Sequence, residues 1–183
     1  MKLSALFVVA VAVCLLVGGN AYADFDILFD KPEVAPGETL QVTIHASSLA
    51  PFDAWLVDLQ VPSDLVYQGA TFPSPWSGSG TFNSVDDLGG NVLEAQAFFG
   101  STGSNPPVTG GQLIQLSFLV PSDVGGSKPR ALQFSLTDTE AGLGGSTPLG
   151  AGPTRSAQLT PEPATMALLA FGGVGLLLRR RRR

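Results

Sequence analysis

Apolar and polar residues alternate through the middle of the chain. Phe25, Ile27 and Phe29 are interleaved with Asp26 and Asp30, and Leu40, Val42 and Ile44 with Gln41, Thr43 and His45. Trp55, Val57, Leu59 and Val61 share one side of a second-neighbour repeat whose other side holds Asp58 and Gln60. Leu93, Ala95, Ala97 and Phe99 stand in the same way against Glu94 and Gln96. Ile114, Leu116, Phe118 and Val120 alternate with Gln115 and Ser117, and Leu132, Phe134 and Leu136 with Gln133, Ser135 and Thr137. Successive side chains of an extended strand point to opposite faces, so each run predicts a strand with one apolar face and one wet face. Weaker runs at 65–67, 81–85 and 157–159 bring the expectation to about eight or nine short strands, with Gly, Pro and Ser between them. Strands with a single apolar face bury it by packing two sheets together, which predicts an all-β, antiparallel β-sandwich. Residues 138–156 are dense in Gly, Pro, Ser and Thr and read as a long loop or spacer, or as a loop ending in a last strand at 157–159.

The two ends depart from this pattern. Lys2 precedes an apolar run from Leu3 to Val17, and Ala21-Tyr22-Ala23 supplies small residues flanking a cleavage point before Asp24. A positive start, a short apolar stretch and an Ala-x-Ala site make residues 1–23 an export signal, with Ala21 and Ala23 at the cut and the Sec export machinery as the implied partner. The run is shorter than the roughly 20 residues of a spanning helix, which favours cleavage over an uncleaved anchor. Cys14 does not make this a lipoprotein signal, because Val13 stands before it where a small residue is required. At the other end, Pro161-Glu162-Pro163 is followed by an apolar run over 164–178 and then by Arg179, Arg180, Arg181, Arg182 and Arg183. As a helix that run would reach roughly 22 Å, short of the roughly 30 Å hydrocarbon core, and local thinning and arginine snorkelling would let it cross. An arginine block stays on the cytoplasmic side, which leaves residues 24–159 outside, in the periplasm and then at the cell surface or beyond.

Charge narrows the possible partners. Between residues 24 and 160 there are 14 carboxylates against Lys31, Lys128, Arg130 and Arg155, a net charge of 4 − 14 = −10, which disfavours nucleic acid. The single cysteine, Cys14, lies in the N-terminal run, so the body has neither disulfide nor thiolate metal site. No cofactor is expected.

The tail of 160–183, with Pro161-Glu162-Pro163, a short apolar run containing Gly172, Gly173 and Gly175, and five arginines, resembles the PEP-CTERM sorting signal of exported Gram-negative proteins. The resemblance implies retention in the inner membrane through the C-terminal helix. It also implies processing near Pro161-Glu162-Pro163 by an exosortase, which releases or transfers the body. An LPxTG sortase signal shares the layout, but the spacing from Leu159 to Pro163 does not fit it.

The body resembles cohesin-like modules and the carbohydrate-binding modules that share their jelly-roll fold. The resemblance is carried by Val34-Ala35-Pro36-Gly37-Glu38-Thr39-Leu40, by the segment from Leu56 to Leu65, and by the glycine-led strand from Gly111 to Phe118. A Gly/Ser/Pro-rich insertion at 73–80 departs from that pattern.

Catalytic groups are scarce. His45, the only histidine, falls on the polar side of its strand, and Asp53, Asp58, Asp86, Asp87 and Glu94 fall at turns or on polar faces, where they serve solubility. The acidic residues Asp24, Asp26, Asp30, Glu33 and Glu38 do not follow a calcium-loop spacing. Trp76, beside Pro75 and Ser77, is the candidate for stacking on a sugar ring, with Phe72 and Phe98 as companions, or else it plugs one end of the core. The expectations are therefore a non-enzymatic, surface-sorted module that binds an unidentified protein, or alternatively a polysaccharide-binding module.

Overall fold

The computed structural model describes residues 24–100, 106–124, 129–144 and 147–160. All regular structure among them is strand, in the order β1 (Asp24–Phe29), β2 (Glu33–Val34), β3 (Thr39–Phe52), β4 (Ala54–Gln60), β5 (Val66–Thr71), β6 (Thr81–Gly89), β7 (Val92–Phe99), β8 (Val108–Leu119), β9 (Arg130–Gly142), β10 (Thr147–Pro148) and β11 (Thr154–Leu159). They form a four-stranded sheet, β1-β3-β8-β5, and a seven-stranded sheet, β2-β11-β9-β4-β7-β6 with β10 beside β9. The expected sandwich is therefore present. The export signal with Ala21 and Ala23, and the tail with Pro161, Glu162, Pro163, the run 164–178 and Arg179 to Arg183, lie outside the described residues. No helix among the described residues is long and apolar enough to cross a membrane.

Alternation places the core as read. From the four-stranded sheet come Phe25, Ile27, Leu40, Val42, Ile44, Ala46, Ile114, Leu116 and Phe118; from the other come Trp55, Val57, Leu59, Leu93, Ala95, Ala97, Leu132, Phe134, Leu136, Ala157 and Leu159. Two of the bulges shift the inward positions of core strands, each adding one residue to one strand. At the first, Ile44 pairs with Ile114 but His45 with Gln112, so that Leu113 is buried next to Ile114. At the second, Asp58 pairs with Asp138 but Leu59 with Leu136, and Thr137 is the extra residue.

The structure corrects the reading of 138–156. β9 continues to Gly142, and β10 and β11 follow, so the segment is sheet and connection rather than spacer. The second bulge explains why the pattern failed there: beyond Thr137 the inward positions become Thr139 and Ala141. Thr139 is the single buried polar residue among those described, and its hydroxyl donates to the Gly150 carbonyl at 2.7 Å. Two short strands, β2 and β10, had no alternation long enough to announce them. β2 is also the exception to antiparallel pairing, lying parallel to β11 through Glu33–Gln158 and Val34–Leu159.

Of the two readings of Trp76, the structure places it as the plug at one end of the core. It is 1% exposed, with its ring between Phe99, stacked at 4.6 Å and 12°, and Phe52, stacked at 5.9 Å and 15°, and with Trp55 edge-on at 5.9 Å. Both faces are covered, so no sugar ring can stack on it in this conformation. The loop that carries it is fixed by Asn83 Nδ2 donating to the Trp76 carbonyl at 2.8 Å and by the Thr81 hydroxyl donating to that of Pro75 at 3.2 Å. Trp76 fills the end of the core between the sheets.

Two substitutions test this packing in residues 24–160. Trp76→Ala removes a fully enclosed indole and is expected to cost about 3–5 kcal/mol in denaturant unfolding. Gly110→Ala is expected to destabilise as well, because Gly110 has φ +146° and a Cβ there would sit 2.5 Å from the Ala46 carbonyl oxygen. Unfolding midpoints equal to that of the unsubstituted protein would contradict the packing described.

Candidate functional site

Strand register assembles a surface that the sequence leaves scattered. On β6, β7, β4 and β9 the outward residues fall into cross-strand rows, three of which set the chemistry of this surface. Asp86 pairs with Glu94, Glu94 with Asp58, and Asp58 with Asp138, so four carboxylates lie side by side across four strands. At roughly 4.8 Å between neighbouring strands, the row is about 14 Å long. In the next row Ser84, Gln96, Leu56 and Glu140 are cross-strand neighbours, with Gln96 Nε2 donating to Ser84 Oγ at 3.2 Å. The third row runs from Phe82 and Phe98 through Ala54 to Gly142 and its neighbour Leu143.

The third row is apolar, and apart from the buried Ala54 and the half-buried Gly142 it is exposed. Phe82, Phe98 and Leu143 are 59%, 43% and 59% accessible, and the two phenyl rings stack at 5.0 Å and 18°. A stacked aromatic pair held open to water on a sheet face adds apolar surface that solubility does not call for. Asp53, immediately before β4, ties the Leu143 turn to this row, since its carboxylate accepts from the Gly144 N–H at 2.8 Å and its N–H donates to the Gly142 carbonyl.

The acidic row carries an electrostatic penalty. Burial, and after it the charges of Asp138 and Glu140, pushes the Asp58 carboxyl above its ordinary value. Burial, with Asp58, Asp86 and Glu140, does the same to Glu94. Asp58 Oδ1 is enclosed and accepts no hydrogen bond among the described residues. The described cations are committed elsewhere: Lys31 to Glu38, Arg130 to Asp64 and Arg155 to Asp26. Carboxylates directly opposite one another repel, so the fold carries this row at a cost.

Of the residues singled out from the sequence, Asp58, Asp86 and Glu94 come together in this row. Asp87 is the next residue of β6, outside the row, and His45 stands on the outward side of β3, in the other sheet. Phe98 is on the surface, but as the partner of Phe82 and not of Trp76. Asp138 and Phe82 had no signal in the sequence, Asp138 because the bulge at Thr137 alone turns it outward. Among the described residues, no group of His, Cys, Asp and Glu is placed to hold a metal ion.

Comparison with known proteins agrees on two points. Residues 159–183 match the PEP-CTERM protein-sorting motif, the mark of an exported, exosortase-processed protein. No curated protein sequence matches the chain. The fold is that of cohesin modules, as the notably similar solved structures show. One is a cohesin module from a family 33 glycoside hydrolase of Clostridium perfringens, 10% identical, with a TM-score of 0.61 over 78% of this chain and 100% of that one. A second is a type II cohesin module from an adaptor scaffoldin of Acetivibrio cellulolyticus, 14% identical, with a TM-score of 0.58 over 79% and 99%. A third, the sixth cohesin of scaffoldin B from the same organism, was solved in complex with a dockerin; it is 17% identical, with a TM-score of 0.55 over 76% and 99%.

The acidic row predicts a pH dependence. A carboxyl whose pKa is raised on folding binds its proton more tightly in the folded state, so the contribution of Asp58 and Glu94 to stability falls as pH rises through the interval above the ordinary carboxylate value of about 4. Asp58→Asn is expected to raise the unfolding midpoint at neutral pH, with the gain vanishing below about pH 4. A gain that persists unchanged at low pH would show that charge is not its cause.

Proposed function

We propose that this is an exported, non-enzymatic interaction module that binds a protein partner through the outer face of β6, β7, β4 and β9. The observation that carries the reading is the juxtaposition on one sheet face of an exposed aromatic row and an acidic row. The two lie two residue pairs apart along the strands, about 13 Å. Aromatic anchors with a charged flank are what a protein interface uses for affinity and for orientation respectively. The partner segment that fits presents apolar side chains to Phe82, Phe98 and Leu143 and Lys or Arg to Asp86, Glu94, Asp58 and Asp138. The dockerin complex of a similarly folded cohesin supports protein, rather than glycan, as the class of ligand.

The tail completes the proposal. Residues 1–23 serve as the cleaved export signal and 24–159 as the sandwich. Residues 160–183 hold the body to the inner membrane until an exosortase acts near Pro161-Glu162-Pro163, after which it reaches the cell surface or the extracellular matrix. The carbohydrate-binding alternative lost its main support when Trp76 proved to be enclosed.

The test is affinity capture from the producer's exported proteins with immobilised residues 24–160, in parallel with Phe82→Ala/Phe98→Ala and Asp58→Lys. A true partner is expected to be retained by the unsubstituted body, to elute with added salt, and to fall at least about tenfold in affinity in each variant, the loss of about 1.4 kcal/mol expected of interface anchors. Retention that is unaffected by both variants would refute this face as the site. Binding only to a glycan array would refute the protein reading.

A further inference from the structure

The place where the tail leaves the sandwich fixes which end of the molecule faces outward. Leu159, the last residue of β11, is 2% exposed and paired on both sides, with Arg130 of β9 and Val34 of β2. Thr160 is held too, its N–H donating to the Val34 carbonyl at 2.9 Å. The sorting motif, which begins at residue 159, therefore starts inside the sheet. Between Thr160 and the apolar run at Ala164 lie only Pro161, Glu162 and Pro163. Fully extended, that connection spans at most about 14 Å.

The exit and the aromatic row lie at opposite ends of the sandwich. β9 runs from Arg130, beside Leu159, to Gly142, which is in the row of Phe82, Phe98 and Ala54. Those 12 steps correspond to roughly 35–40 Å of strand. β1 begins at the far end as well, where Asp24 pairs with Ser47, so an N-terminus freed at that residue points away from the tail. The exit end carries Asp30, Glu33, Glu38, Asp64 and Asp123, while Lys31 and Arg130 there are paired with Glu38 and Asp64. That excess of negative charge opposes adsorption of the body onto anionic headgroups.

We propose that β11 tethers the sandwich end-on: the Leu159 end is held against the membrane by a three-residue leash, and Phe82, Phe98 and Leu143 are presented on the end facing away. The proposal rests on reading residues 161–183 as a membrane anchor and deepens the function proposed above. A partner can reach the aromatic row while the protein is still tethered, and the exit end is screened until the tail is processed.

The test uses the full chain in a Gram-negative host without exosortase, with Cys14→Ser removing the native cysteine and one reporter cysteine added. Ser77→Cys lies in the loop before β6, at the aromatic end, and Ser122→Cys follows β8, at the exit end; both serines are exposed. Spheroplasts are labelled with a small and with a bulky membrane-impermeant maleimide, and again after detergent. The bulky reagent is expected to lag the small one several-fold at Ser122→Cys and not at Ser77→Cys. The lag should vanish in detergent and when a long Gly/Ser linker is inserted between Thr160 and Pro161. Equal labelling at both sites of a chain that sediments with membranes overturns the end-on pose alone. A chain recovered entirely in the soluble fraction overturns the anchor, and the pose with it.

Discussion

A sheet with one apolar face is unstable in water until that face is covered, and in this chain no helix among the described residues is available to cover it. The two sheets must cover each other, and where they diverge something must fill the gap. Trp76 fills it, stacked between Phe99 and Phe52 and set edge-on to Trp55, so that rings from β3, β4, β7 and one loop form a single cluster. The aromatic payload is large because each ring removes on the order of 150–250 Å² from water. The loop of 73–80 owes its conformation to that burial, with Asn83 and Thr81 holding its carbonyls in place.

The same covering requirement decides what is left on the outside. With the inner face assigned to apolar residues, whatever alternates with them is exposed, and the bulge at Thr137 shifts the phase of β9 relative to β4. Without the bulge, Asp138 would follow Leu132, Phe134 and Leu136 inward, where a carboxylate could not stay charged without a partner. With it, Thr139 takes the buried position and satisfies its hydroxyl on Gly150, while Asp138 joins Asp58. A single extra residue thus protects the core and lengthens the acidic row.

The strands of the core were legible in the sequence because period two needs only local information. β3, β4, β7, β8 and β9 were read from alternation, and the cohesin-like pattern from Val34 to Leu40 agreed with the fold found. Register was not legible, since nothing local to β6, β7, β4 and β9 states that Asp86, Glu94, Asp58 and Asp138 lie in one line. The two readings of Trp76, sugar stacking or core plug, could not be separated in the sequence for a related reason. Its neighbours in sequence are turn formers, but its neighbours in space are Phe52, Trp55 and Phe99, and composition of a loop does not report which side chain folds back. β2 and β10 are too short to show any period at all.

The acidic row bears on function through its cost. Neighbouring carboxylates with raised pKa values lower the stability of the folded state at neutral pH, and a fold built only for stability would place Lys, Gln or Thr at such positions. A cationic partner reverses the sign of the interaction: its charges favour the ionised carboxylates, and the repulsion stored in the free protein is relieved on binding. In the proposed complex, the aromatic row adds affinity that does not depend on salt, whereas the carboxylates add orientation that does. Where the acidic rows of two copies of the body approach, like charges oppose each other, so in the proposed arrangement the row that attracts a basic partner also disfavours face-to-face self-association through it.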